Sequence, residues 1–383
     1  MVRSALGELL AEHPAGSELI FMGRYKYDAA LSFAGSERLI ASFLASLLEA
    51  NGVRVYYDDF ERWSHIGRNL VDELSDIYEH QCRFCVMLIS RQYLKRPYPI
   101  LERRSALDRM ILAQKDGYIL PIRVDDAWIK GLPRSTSFVD LRHQSLIVAG
   151  EMLVRRIAGR LPDEGLHLPV EPKLVDAYVR DEGEQQRLRS VYSIKESFEK
   201  FRKCLLSESP EAADWVSRAT VSHYGRLKRH ALESNREKLG ELLFFDRLIT
   251  LRLRVEIPLQ DLLEMNDVET FSWGVRKGLV SKEGVALGEI RSVALLDEQL
   301  ARASVVRSNR KGRTAVSRFR FVLEDGRWLL DLLDALRHAN LYFGGVHEIL
   351  EPEAEDSLLL ETLSRLCGYR VSEAVWTALS PPS

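Results

Sequence analysis

The sequence predicts an α/β domain with a parallel sheet over residues 20–160, followed by an α+β domain over residues 176–383. In the first segment, short apolar strands alternate with amphipathic helices. In the second, helices come first and several strands then follow one another directly. Residues 161–175, rich in proline, glycine and acidic residues, are expected to form an exposed linker between the two domains.

Five βα repeats with short connections predict a parallel five-stranded sheet in the first domain. The expected strands are 25–33, 53–57, 82–89, 118–124 and 138–141, and the expected helices include 38–51, 69–80 and 145–160. Ser36 is expected to cap the first helix, with Glu37 in its first turn. Right-handed crossovers favour the flavodoxin-like strand order. Ligands of such sheets bind beyond the carboxyl ends of the strands, so the loops after Phe33, Tyr57 and Ile89 are the expected binding region.

The second domain is expected to begin with helices and to continue as an antiparallel sheet. The expected helices are 184–206, 210–234, 258–265 and 268–278, and the expected strands are 285–296, 301–307, 314–323 and 327–332. The alternation in 248–257 (LITLRLRVEI) favours a strand, while its leucine and arginine content also permits a helix. Glu324-Asp-Gly326 is expected to form the turn of the last hairpin.

Composition excludes several functional classes. The 383 residues carry a net charge of −2 and are 46 % hydrophobic, as in ordinary globular proteins of two domains. The near-zero charge argues against a nucleic-acid partner, and the basic cluster at 307–313 is expected to be a solvated hairpin tip. No apolar run has the length of a membrane span, so we expect no membrane partner.

Cysteine content and the N-terminal residues indicate a cytoplasmic protein. Four cysteines in 383 residues do not make a disulfide framework. Glu8, Glu12 and Pro14 interrupt the N-terminal apolar residues, so no signal peptide is expected. Cys82 and Cys85 have the spacing of a metal or redox pair, but they lie in an expected buried strand and have no second ligand pair, so no metal site is predicted.

Three motifs follow one another in the first domain. They are YDAALSFAGSE from Tyr27, YYDDF with IGRNL from Tyr56, and ISRQYLKRPYPILE from Ile89. Together they resemble the Toll/interleukin-1 receptor (TIR) domain family over residues 20–160. In the third motif, Ser90, Tyr93 and Glu102 match the family pattern S-x-x-Y-x-x-S-x-W-C-x-x-E. Arg96, Tyr98 and Pro99 replace the usual Ser, Trp and Cys.

The resemblance implies one of two activities. Some TIR domains cleave NAD at the nicotinamide–ribose bond, and others are non-catalytic adaptors or scaffolds that bind further TIR domains. In the enzymatic members the catalytic glutamate corresponds to Glu102. Its chemistry is physically sound, because a carboxylate beside the ribose stabilises the oxocarbenium-like transition state. NAD is then consumed as a substrate, and no cofactor is expected.

The resemblance also implies which residues bind the substrate. We expect the loop after the first strand to lie beside the nicotinamide ribose, Asp58 to bond a ribose diol and Trp63 to stack on adenine or on a neighbouring TIR domain. Arg68 is expected to offset the pyrophosphate charge, and the aromatic ring of Tyr98 is expected to form one side of the pocket. The full expected set is Phe33, Ala34, Gly35, Ser36, Asp58, Trp63, Arg68 and Tyr98.

The second domain resembles the NTF2-like fold through its order of helices and strands and the E-D-G-x-W turn at 324–328. We expect it to be a sensor or assembly module for an unknown trigger or ligand. The combination resembles prokaryotic antiviral immunity proteins, in which TIR domains self-associate and NAD cleavage follows. An adaptor, and a small-molecule receptor whose TIR part only dimerises, are the alternatives.

Overall fold

We describe the protein from a computed structural model. The residues described are 25–57, 76–95, 117–133, 135–170, 182–280, 285, 288–308, 314–337, 340 and 352–379. They fall into two compact units, of which the first contains Gly16–Tyr192 with Arg291–Leu296, and the second contains Ser193–Ile290 and Asp297–Ser383. No helix within the described ranges is long and apolar enough to cross a membrane.

The first unit is built on a parallel sheet. Its strands are β1 (Tyr27–Ser32), β2 (Val55–Tyr56), β3 (Cys82–Ile89), β4 (Ile119–Arg123) and β5 (Val139–Asp140), and its helices are α1 (Arg38–Ala50), α2 (Arg91–Lys95) and α3 (Leu146–Ala158). The strand order is β2-β1-β3-β4-β5, with every pair parallel. The predicted parallel five-stranded sheet of flavodoxin-like order is therefore confirmed.

Helices α1 and α3 show why the sequence pattern predicts this unit well. In α1, the apolar residues Ile40, Phe43, Leu44, Leu47 and Leu48 are all buried, as their helical spacing requires. Helix α3 begins where the hydroxyl of Ser145 accepts a hydrogen bond from the Val148 amide, and ends at Gly159 in the left-handed conformation. Both helices confirm the predicted positions to within two residues.

The predicted exposed linker contains a buried strand. His167–Pro169 forms β6, which pairs antiparallel with β7 (Gly288–Leu295). The Asn51 side chain donates a hydrogen bond to the His167 carbonyl at 2.9 Å and accepts one from its amide at 3.0 Å. It also donates to Leu47 at the end of α1. This part of the linker is thus held by a buried side chain, and the prediction of full exposure is wrong for β6.

The second unit contains a row of helices and an antiparallel meander. The helices are α4 (Glu182–Leu206, which begins in the first unit), α5 (Arg218–Glu233), α6 (Arg236–Gly240), α7 (Phe244–Glu256), α8 (Leu259–Glu264), α9 (Asp267–Arg276) and α10 (Pro352–Cys367), and the strands are β8 (Leu300–Ser308), β9 (Thr314–Glu324) and β10 (Arg327–Asp331). Asp325 and Gly326 both have positive φ, as the predicted Asp-Gly hairpin turn requires. Whether this unit is NTF2-like stays a prediction.

Helix α7 resolves the segment that the sequence leaves open. It is buried on all sides, and its arginines are buried as well. Arg254 donates to the carbonyls of Ala231, His230 and Ser234 at the end of α5, and to Val375. Its pKa is lowered to about 10 by desolvation. The apparent alternation of arginine and leucine therefore reflects buried arginines that bind carbonyls, and not a strand with one exposed face.

Strand β5 ends in a half-buried ion pair. The Arg142 guanidinium donates two hydrogen bonds to the Asp140 carboxylate, at 2.8 and 2.5 Å. Hydrogen bonding from Arg142 lowers the pKa of Asp140 to about 2, with Arg123 adding a smaller attraction. Asp140 is therefore a carboxylate that loses its charge in the folded protein only in strong acid.

Replacing Asn51 with Ala should destabilise the first unit by about 2 kcal/mol, because it removes two hydrogen bonds from the buried backbone of His167. Urea unfolding measures the loss, and hydrogen exchange at the His167 amide should become faster. The matched control is Glu49→Gln, an exposed position on the same helix, for which we expect a change below about 0.5 kcal/mol. Equal stability of Asn51→Ala and the control would contradict the role of this link.

The Asp140–Arg142 pair predicts a pH dependence of stability. Because the folded pKa is lower than the usual 3.8, the pair stabilises the fold above about pH 4, and this contribution is lost as the pH falls towards about 2. Asp140→Asn should therefore cost about 1 kcal/mol at pH 7 and flatten the stability curve between these pH values. Asp163→Asn is the control, because Asp163 is 90 % exposed in its pair with Arg160. Parallel pH curves for wild type and Asp140→Asn would refute the prediction.

Candidate functional site

The strand order places a crevice at the carboxyl ends of β1 and β3. From β1, the sheet continues to β2 on one side and to β3 on the other. At such a point the loops diverge to opposite faces of the sheet, which opens a cleft where α/β proteins bind ligands. The ends of β1 and β3 lie side by side, since Ser32 pairs with Met87. The loop after β1, which carries Phe33 to Ser36, and the loop after β3 therefore share this edge.

A buried hydroxyl network joins the two strand ends. The hydroxyls of Ser32 and Tyr93 lie 2.7 Å apart, and the Tyr93 amide donates to the hydroxyl of Ser90 at 2.9 Å. All three residues are buried. Two residues of the third motif, Ser90 and Tyr93, thus hold the start of α2 against the end of β1. Their spacing in the sequence reflects this structural role.

An aromatic pair lies at the ends of β1 and β2. The rings of Phe33 and Tyr57 are 5.5 Å apart, and the Arg38 guanidinium lies 5.3 Å from the centre of the Phe33 ring. Tyr57 is buried, while Phe33 is half-buried. The arrangement offers a flat apolar surface beside a cation, on which an aromatic ring of a ligand can stack.

In the rest of the loop after β1, two exposed residues follow a buried alanine. Ala34 is buried, and its carbonyl accepts a hydrogen bond from the Glu37 amide at 2.9 Å. Gly35 and Ser36 are exposed. A Cβ atom on Gly35 would meet no atom of the described residues within 4 Å, so none of them takes the space above this residue. The backbone of Gly35 is therefore accessible to a ligand.

Ser36 does not cap α1, and that prediction is wrong. The chain makes a 3-10 turn over Gly35–Glu37 before the helix begins at Arg38, so Glu37 takes the capping position, without a side-chain cap bond. The Ser36 hydroxyl donates instead to Oε1 of Glu37 at 2.8 Å. The extra turn moves Ser36 away from the amides that it was expected to bind.

Glu37 is the residue that sequence reasoning missed. It is only 5 % exposed, and its Oε2 atom is buried without a hydrogen-bond partner in the part of the chain that the structure describes. In the sequence it is indistinguishable from a solvated glutamate in the first turn of a helix. Only the 3-10 turn, which the sequence does not reveal, brings the carboxylate into the interior.

Five of the expected site residues lie outside the described part of the chain. They are Asp58, Trp63, Arg68, Tyr98 and Glu102. Tyr57 and Lys95 are the last described residues before the two segments that carry them. The roles of these five residues, and those of Phe33, Ala34, Gly35 and Ser36 in binding, stay predictions.

Charged and aromatic side chains also gather beyond β3 and β4. Arg91 forms a bidentate ion pair with Asp126, and the Arg123 guanidinium lies 5.7 Å from the Trp128 ring and 5.1 Å from the Phe138 ring. Each cation thus already has a partner in the protein. Over the described ranges, no three His, Cys, Asp or Glu side chains are grouped closely enough to hold a metal ion.

Parts of the chain are similar to known proteins. The TIR domain family matches residues 30–165. The curated protein "3' cyclic ADP-D-ribose synthase AaTIR" from Aquimarina amphilecti is 37 % identical over 121 residues, which are 32 % of this chain and 37 % of that protein. The chain therefore matches only about a third of the length of this relative. The crystal structure of the TIR domain of the Toll-related receptor TRR-2 from Hydra magnipapillata is similar at 17 % identity and a TM-score of 0.28, covering 34 % of this chain and 98 % of that one.

The family match covers the parallel sheet from within β1 to the end of α3, together with the crevice beyond β1 and β3. The strand order and the positions of Ser90 and Tyr93 fit the same assignment. Residues 30–165 of the chain are therefore similar to the TIR domain family in sequence, and their strand order fits that similarity.

Proposed function

We propose that the chain cleaves NAD at the nicotinamide–ribose bond and leaves ADP-ribose, either hydrolysed or cyclised. The observation that carries the proposal is the 37 % identity between its TIR domain and a relative named as a cyclic ADP-ribose synthase. The crevice supports it, because its open loop and aromatic pair suit a dinucleotide. Since the similarity spans about a third of each protein, the activity of the whole chain belongs to this proposal.

The chemistry requires few groups. Cleavage of the N-glycosidic bond leaves positive charge on the ribose, and nicotinamide departs as a neutral molecule. A single carboxylate beside the ribose can therefore stabilise the transition state without a general acid. We assign this role to Glu102, with the ribose hydroxyls held by neighbouring side chains.

The loop after β1 is proposed to receive the nicotinamide ribose. Gly35 leaves room for the sugar to approach the backbone, and the half-buried Phe33 ring offers an apolar surface next to it. Asp58, Trp63, Arg68 and Tyr98 complete the proposed site as the family resemblance implies.

Self-association is proposed to activate the enzyme. In this view the loop that carries Trp63 in one copy completes the pocket of the next, and the second unit senses the trigger. An antiviral immune role in the cytoplasm follows from the same resemblance. The structure shows no disulfide among the four cysteines, which lie in its described part, and this suits the proposed reducing compartment.

Glu102→Gln should reduce NAD cleavage by a factor of about 100 or more, because the transition state loses the carboxylate that offsets its charge. Nicotinamide release is followed by chromatography at increasing protein concentrations, so that activation by assembly is seen as rising activity per protomer. Glu196→Gln, an exposed position on α4, is the control and should keep full activity. Turnover that survives Glu102→Gln would disprove this role, and absence of turnover at every concentration would favour the adaptor.

Gly35→Ala should impair substrate binding without harming the fold. The added methyl group meets no protein atom within 4 Å, but it enters the space proposed for the ribose. We expect KM for NAD to rise about tenfold or more and the melting temperature to stay unchanged.

Gly240→Ala is the matched control, because a Cβ there also meets no atom within 4 Å and the position lies in the second unit. It should alter neither KM nor stability. If both variants had the same KM, the loop after β1 would not contact the substrate.

A further inference from the structure

The Glu37 carboxylate is buried, and only one of its two oxygens accepts a hydrogen bond from the described residues. Its Oε1 atom accepts the Ser36 hydroxyl at 2.8 Å, while Oε2 is buried and has no hydrogen-bond partner among the described residues. A buried carboxylate oxygen without a donor lowers the stability of the folded protein. The Glu37 side chain does not offset this cost by capping α1, because it makes no cap hydrogen bond with the helix. Such a group is explained if its missing donor arrives with a ligand.

The position of Glu37 supports a ligand as that donor. It is the last residue of the turn that begins at Gly35, directly after β1 at the crevice. Its carboxylate lies within hydrogen-bond distance of Ser36, which is exposed, so the carboxylate lies just beneath the open surface of the loop. Because Oε2 itself is buried, a hydroxyl that enters above Gly35 and Ser36 reaches it when the carboxylate turns towards the surface of the loop.

We propose that Glu37 binds the substrate by accepting a hydrogen bond from a hydroxyl of the nicotinamide ribose. This inference rests on the proposed NAD cleavage. A carboxylate oxygen pairs with donors, so the pyrophosphate of NAD, which has none, is excluded as its partner. Among the donors, the hydroxyls of the nicotinamide ribose are on the sugar whose bond to nicotinamide breaks, and the loop after β1 is the one proposed to receive that sugar.

The role of Glu37 is to hold the ribose and not to act on the bond. A hydrogen bond to a ribose hydroxyl restricts the sugar to one orientation, which is how binding groups favour reaction. Glu102 remains the group proposed to face the developing charge.

Glu37→Gln tests the proposal with minimal change of shape. Glutamine keeps an oxygen for the Ser36 hydroxyl but replaces the second acceptor with an amide donor. We expect KM for NAD to rise about 10- to 100-fold, kcat to change less than about threefold, and the melting temperature to stay equal or rise. The control is Glu49→Gln, near the other end of α1, which should leave KM unchanged. A rise in KM together with a lower melting temperature would indicate a structural role and overturn the inference.

NAD analogues identify the hydroxyl. Wild type and Glu37→Gln are compared with NAD and with analogues that lack the 2′- or the 3′-hydroxyl of the nicotinamide ribose. If Glu37 binds one of these groups, the effect of Glu37→Gln on KM disappears with the analogue that lacks it. An effect of equal size with all three ligands would overturn the assignment to the ribose.

A binding measurement separates this inference from the proposed activity. Calorimetry gives the Kd of NAD for the full chain carrying Glu102→Gln, with and without Glu37→Gln. If NAD binds but wild type does not cleave it, the proposed function fails, and a 10- to 100-fold weaker Kd still supports Glu37. If wild type cleaves NAD and Glu37→Gln changes neither Kd nor KM, the activity stands and Glu37 is refuted. If NAD neither binds nor is cleaved, both proposals fall.

Discussion

All strands of the first sheet run in the same direction, and the site depends on this constraint. Parallel strands must be joined by crossovers, so every loop that follows a strand emerges at one edge. Because β2 and β3 flank β1 on opposite sides, the loops after β1 and β3 open a crevice between them. The buried hydroxyls of Ser32 and Tyr93 then hold the two strand ends together, which gives the crevice a rigid base.

Asn51 and Arg254 are buried polar side chains that pair with backbone groups, whereas the buried Glu37 side chain has one oxygen that no described residue pairs with. Asn51 uses its side chain to satisfy the backbone of His167, which lies 116 residues away in the chain. Arg254 satisfies four carbonyls in the second unit. These groups are paired and hold elements in place. Glu37 differs from them, since one of its oxygens is buried and has no hydrogen-bond partner among the described residues. Such a group calls for an explanation, and a ligand that supplies the donor is one.

The proposed chemistry suits a site with few charged groups. Removal of a neutral nicotinamide needs one carboxylate and a well-held ribose, and not a pair of carboxylates that act as acid and base. The crevice offers an open backbone at Gly35 and an aromatic ring at Phe33 for holding the substrate. Other charges at this edge, such as those of Arg91 and Asp126, are already paired with each other. Specific binding would therefore come from the loop after β1 and from the expected residues of the neighbouring loops.

The sequence by itself determined the elements of the first sheet and the resemblance to the TIR family. Strand β3 begins and ends at the predicted residues, and α1 begins where predicted, because the spacing of apolar residues is a local property. Tertiary structure alone decided that 248–257 is helical, since its arginines are buried against carbonyls from distant parts of the chain. It also decided that Ser36 binds Glu37 and that Glu37 is buried. The burial of a side chain and its hydrogen-bond partners depend on which distant segments come into contact, and a local sequence pattern does not specify those contacts.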